Sequence, residues 1–134
     1  MSYHVLAYAR QKLPEGEYQY AVVLSQAACE LRAEDAIVDL MRHRKCEYLS
    51  DAVLDLFVTT SFGDERLRNI FIALSGDDPA QATWWAAWKS ARKLRHDVAH
   101  GGVQATADQA TAAVDAAAAF IEHVTAAVES VRTS

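Results

Sequence analysis

The chain predicts an all-α protein, an up-and-down bundle of about five helices in a single domain over residues 1–134. Three observations predict it. Apolar residues recur at alternating spacings of three and four along most of the chain, the period of one helix face and not of a strand. The two prolines and five glycines fall between such stripes, where helices would stop and restart. No convincing hairpin signal, internal repeat or glycine-rich phosphate loop is present.

Composition narrows the class. At 134 residues the chain is long enough to bury a real core, and 51% hydrophobic with 23% charged residues suits a soluble globular domain. No apolar run approaches the length of a membrane span, and Met1-Ser2-Tyr3-His4 lacks the start of a signal peptide. Cys29 and Cys46 have no CxxC spacing, so packed thiols in a reducing compartment are expected. The expectation is a cytoplasmic protein with no membrane partner. A net charge of −5 argues against broad, non-specific nucleic-acid binding, which relies on a basic surface. It leaves room for a local basic groove, and it fits a chain neutralised by a partner until needed.

Residues 1–15 are ambiguous: Tyr3, Leu6, Ala7 and Arg10 could start a short helix that Pro14 ends. A long helix is expected over about 16 to 44, with a seam of Tyr20, Leu24, Ala27, Leu31, Glu34, Val38 and Met41. Val23, Glu30 and Ile37 widen that stripe, so Glu30 and Glu34 lie on or beside the buried face, where carboxylates need cationic partners. Arg42, His43, Arg44 and Lys45 suit a helix C-terminus; the alternative is one wall of an RNA groove. A second helix is expected over about 46–60, with Leu49, Ala52, Val53, Leu56 and Phe57 inward and Asp51 and Asp55 wet. Ser61-Phe62-Gly63 reads as a turn.

The third helix should cover 64–75 through Leu67, Ile70, Phe71 and Leu74, closed by Gly76. Asp78, Pro79 and Gln81 then form a capping-box start for a fourth helix over 79 to about 100. Its seam is Trp84, Trp88, Ala91, Arg95 and Val98, which puts Arg95 where a leucine is expected. Such a guanidinium must be paired or face an intersubunit cleft. The tryptophans read as core and interface anchors. Thr106 with Gln109 opens a fifth helix over about 107–131, whose seam Ala110, Val114, Ala117, Ile121, Val124, Val128 and Val131 is unbroken.

The residues with chemistry lie at the end of the fourth helix, in Arg95-His96-Asp97-Val98-Ala99-His100-Gly101-Gly102. Gly-Gly reads as a helix stop, which puts His100 in the last turn. Histidine titrates near neutrality and suits proton transfer, while the planar fork of arginine suits a phosphate gaining charge. In an ideal helix Arg95 and His100 lie roughly 140° apart, so two copies meeting at a dimer cleft would ease the geometry. Lys89, Arg92 and Lys93 occupy a neighbouring face and could contact RNA. His96 and His100, at i and i+4, could share a metal, but no third ligand stands at motif spacing and no cofactor or metal is expected.

Arg, a polar residue, three residues, then His, near the end of a late helix and followed by glycine and one more helix, resembles the HEPN superfamily of small helical domains. The specific part of the resemblance is Arg95 to Gly102; elsewhere it is an agreement of helix number and pattern. It implies a metal-independent endoribonuclease in which paired Arg95/His100 motifs line one cleft of a homodimer. It further implies a supporting role for His96 and an acid from an early helix, for which Glu30 is the candidate ahead of Glu34. The expected partners are RNA, a second copy, and an antitoxin or other regulatory protein, as for a toxin–antitoxin or phage-defence effector. The alternative is a non-catalytic module that holds a nucleotide or protein with Arg95 as anion clamp. A weaker alternative buries Arg95 in the core against Glu30. Some toxin members carry a tyrosine two residues after the motif histidine, where an antitoxin modifies it; here that position is Gly102.

Overall fold

The computed structural model describes residues 1–59 and 62–134. Four helices make the body: α1 (Ser2–Lys12), α2 (Tyr18–His43), α6 (Trp85–Gly101) and α7 (Ala107–Arg132). Three others, α3 (Ser50–Leu54), α4 (Leu56–Thr59) and α5 (Glu65–Ser75), lie in the crossover between α2 and α6. The described residues contain no strand, so the all-α expectation stands. Ser61 of the expected turn lies outside the described residues.

α2 is the central helix and packs on α1, α6 and α7. It runs in the same direction as α7: Cys29 faces the Ala117 carbonyl, and Asp39, Arg42 and His43 share a surface hollow with Arg132 at the other end. α1 returns antiparallel through a turn in which Gly16 takes φ 75°, and the Tyr3 hydroxyl lies 3.2 Å from that of Thr125. The body helices are thus up-and-down, with α3 to α5 spanning the crossover.

The seam read for α7 is the buried one: Ala110, Val114, Ala117, Ile121, Val124, Val128 and Val131 are all buried. Thr106 and Gln109 form the reciprocal capping box, with bonds of 3.1 and 2.9 Å. By length and composition α7 could cross a membrane, against the expectation that no apolar run approaches that length. In this bundle 44% of its most apolar window is buried, and its seam faces α2 and α6.

The seam read for α2 is not the buried one. Of those seven residues only Met41 is buried, and Tyr20 is 62% exposed. The inward face is rotated onto Ala21, Val22, Ser25, Ala28, Cys29, Ala33, Ala36, Ile37 and Leu40. Small side chains win here because α7 faces them with Ala113, Ala116 and Ala117, and close backbone approach buries more area than a leucine ridge held at a distance.

Residues 46–59 do not form one helix; Thr60, the last residue of the expected element, lies outside the described residues. The segment breaks into a 3₁₀ turn at Glu47–Leu49, then α3 and α4 separated at Asp55, and Leu49 is 46% exposed. Asp51 and Asp55 are exposed, as expected, but so is Ala52. Of the stripe Val53 and Phe57 pack against the core while Leu49 and Ala52 stay exposed, and helices of a turn or so are not stable alone. The fourth helix also starts late. Asp78 accepts from the Ala80 amide, but Pro79–Gln81 is a 3₁₀ turn, Ala82 is extended, and α6 begins at Trp85.

The basic end of α2 serves the fold. Lys45 takes φ 60° in a Schellman stop, with the Cys46 amide on the Met41 carbonyl at 2.9 Å. Arg42 pairs with Asp39 and Glu47, and Arg44 donates to the Leu74 carbonyl at the end of α5. Across the core an aromatic cluster joins the elements. Trp88 stacks on Phe120 at 4.9 Å, and Phe62 meets Phe71 and Phe120 edge-on at 5.3 and 5.4 Å. Phe62, read as part of a turn, is 1% exposed.

Candidate functional site

The C-terminal half of α6 carries Arg92, Lys93, Arg95, His96 and His100 and ends where Gly102 takes φ 67°. Beside it, between α2 and α6, lies a cavity of about 560 Å³. Arg95, His96, Lys89, Arg92, Lys93 and Glu30 all line it, so every site residue expected from the sequence except His100 reaches one hollow. His100 is exposed on the next turn, its ring centroid 4.8 Å from that of His96. The helix keeps its regular course, so His100 meets His96 at i−4 and not Arg95 at i−5.

Arg95 is half-buried. Its Nε is shielded from solvent and has no hydrogen-bond partner among the described residues, and it forms no ion pair with Glu30 although both line the cavity. The core Arg95–Glu30 pair is therefore not formed. Lys93 is held by Asp97 at 3.3 Å, one turn along. The Arg92 guanidinium lies against Gly63, where a Cβ would come within 2.7 to 2.9 Å of it. The rim therefore carries four cations from α6 against the single acid Glu30, a local basic surface on an acidic chain.

Glu34 is pushed above the usual carboxylate range, first by burial and then by the charges of Glu30 and Asp35. Neither Glu30 nor Glu34 finds an ion-pair partner among the described residues, against the rule that drew attention to them. Burial drives the Cys29 thiol up to about 12, with the Trp88 indole pulling the other way, so it stays protonated at neutral pH. Among the described residues no three of His, Cys, Asp and Glu gather as a metal would need.

Five further residues line the wall that were not among the site residues expected from the sequence: Gln26, Cys29, Phe62, Trp88 and Ser90. Gln26 is 3% exposed and its Nε2 has no partner among the described residues. It falls one turn before Glu30 and four residues after Val22 on the true buried face of α2, so a correct reading of that face would have exposed it as a polar intruder. Compared with known protein families, curated proteins and solved structures, the chain matches none.

Proposed function

We propose that the chain is a HEPN-type, metal-independent endoribonuclease that acts as a homodimer. The observation that carries this reading is Arg95: it lines a basic cavity with no acceptor at its Nε among the described residues, next in sequence to a histidine whose ring lies tilted against that of His100. In the proposed reaction one histidine takes the proton of the RNA 2′-hydroxyl. The 2′-oxygen attacks the adjacent phosphorus, and a second histidine gives a proton to the departing 5′-oxygen. The products are a 2′,3′-cyclic phosphate and a 5′-hydroxyl. Arg95 faces the non-bridging oxygens as charge builds on them. His100 and His96 are the candidate proton carriers, and Glu30, which lines the same cavity as Arg95, is the candidate to orient the hydroxyl. His100 stands outside the cavity, so a second copy that brings its own histidine to the cleft would complete the pair.

A toxin or defence effector in the cytoplasm, restrained by an antitoxin or other regulatory protein, is the setting this reading implies. The second reading is a non-catalytic module that binds a nucleotide or protein. The same geometry favours it in one respect, because the cavity holds Arg95 but not His100.

The test is incubation of wild type, His100→Ala and Arg95→Ala with structured RNA in excess EDTA, each shown to be folded by circular dichroism. Cutting by wild type with cyclic-phosphate ends is expected, reduced roughly 100-fold or more in either variant. No cutting by any folded version, across several RNAs, leaves the binding module.

A further inference from the structure

The cavity has more structure than a phosphate clamp requires. Its volume of about 560 Å³ lies within the roughly 300–1,000 Å³ of pockets that take small molecules. The wall is chemically divided: Lys89, Arg92, Lys93, Arg95 and His96 come from α6, and Gln26 and Glu30 come from α2. A ligand spanning it must be anionic on one side and must offer hydrogen-bond donors and acceptors on the other. An acidic peptide brings carboxylates to both sides, and Glu30 repels them. Inorganic phosphate leaves the α2 wall unanswered.

A nucleotide satisfies both walls. Its phosphate answers the cations, its hydroxyls or amino group answer Glu30, and its base edge answers a side-chain amide. Gln26 is that amide. It is 3% exposed, held by the α2 backbone, and its Nε2 lacks an acceptor among the described residues. The aromatic wall does not act as a stacking platform, because Trp88 is 2% exposed with Phe120 stacked on it and Trp85 at 5.0 Å. The base would be recognised at its edge.

We infer that the α2–α6 cavity is a one-nucleotide pocket in which the Gln26 amide reads the base edge while the phosphate lies against Lys89 and Arg95. This deepens the ribonuclease reading and rests on it for the role of the bound nucleotide. The shared chemistry is a nucleoside monophosphate unit, supplied by RNA or as free nucleotide.

Isothermal titration in EDTA tests it, using the four nucleoside 5′-monophosphates, inorganic phosphate and a tetranucleotide RNA on wild type, Gln26→Met and Lys89→Ala. The expected result is at least one monophosphate bound tenfold or more tighter than phosphate, with a clear ranking among bases. Gln26→Met flattens that ranking, and Lys89→Ala, at an exposed position, weakens all ligands severalfold. A tetranucleotide that displaces the monophosphate makes RNA the source; a monophosphate bound while the tetranucleotide is excluded makes free nucleotide the source. Phosphate binding as tightly as every nucleotide overturns the inference. So does a ranking unchanged in folded Gln26→Met, or undiminished binding in Lys89→Ala. RNA cleavage by the same wild-type sample separates the two readings. Cutting without nucleotide ranking sinks the pocket alone, and ranked nucleotide binding without cutting sinks the nuclease alone.

Discussion

The two halves of α6 have opposite surroundings. The first, from Trp85 to Ala91, is fixed in the aromatic cluster, with Trp88 stacked on Phe120 and Ala91 buried. The second, from Arg92 to Gly101, is charged, contributes no fully buried residue, and holds Arg95 and the two histidines beside an open cavity. One continuous helix therefore joins a stabilising anchor to a surface that packing leaves underused. Rigidity at the anchor holds the motif in place, and the site itself adds little to stability.

The largest effect should come from the anchor. Phe120→Ala removes the ring that Trp88, Trp84 and Phe62 all touch, and should lower unfolding stability by about 3–5 kcal/mol in a urea melt. A loss as large from a change beyond Arg92 would break the comparison.

A smaller effect is expected where α6 stops. Gly102→Ala puts a side chain at φ 67° and should cost about 1 kcal/mol. The cost should appear as fraying of the last turn around His100, visible as faster amide exchange there, and not as loss of the core.

Smallest of all is the charge on α2. The folded-state pKa of Glu34 is raised, so its ionisation opposes folding: the penalty is absent at acid pH and sets in as pH rises from the ordinary carboxylate range through the raised value. Glu34→Gln should stabilise the protein at pH 7 by a few tenths of a kcal/mol, roughly the scale of a like-charge pair one turn apart, and should be neutral near pH 3. Melts at the two pH values check the sign.

What could be read from the sequence was what neighbours in the chain decide. The α7 seam, the Thr106–Gln109 box and the Gly76 stop depend on residues within a turn or two, and all stand where the pattern put them. The α2 face was misread because both a large and a small stripe run along it, and the choice between them is made by the alanines of α7, some 80 residues away. Phe62 does stand in a turn, as expected, but its burial was not legible because its partners, Phe71 and Phe120, are tertiary. At the site, the spacing from Arg95 to His100 was plain from sequence. That Arg95 stands apart from Glu30, and that Gln26 joins them, depends on how α2 is rotated against α6.

The proposed role of Arg95, held for a ligand and not for the fold, is tested by the unfolding free energy of Arg95→Ala. Since Arg95 has no ion pair with Glu30, the variant should stay within about 0.5 kcal/mol of wild type. A loss of about 3–5 kcal/mol would contradict the account, because that is the penalty for orphaning the partner of a buried ion pair.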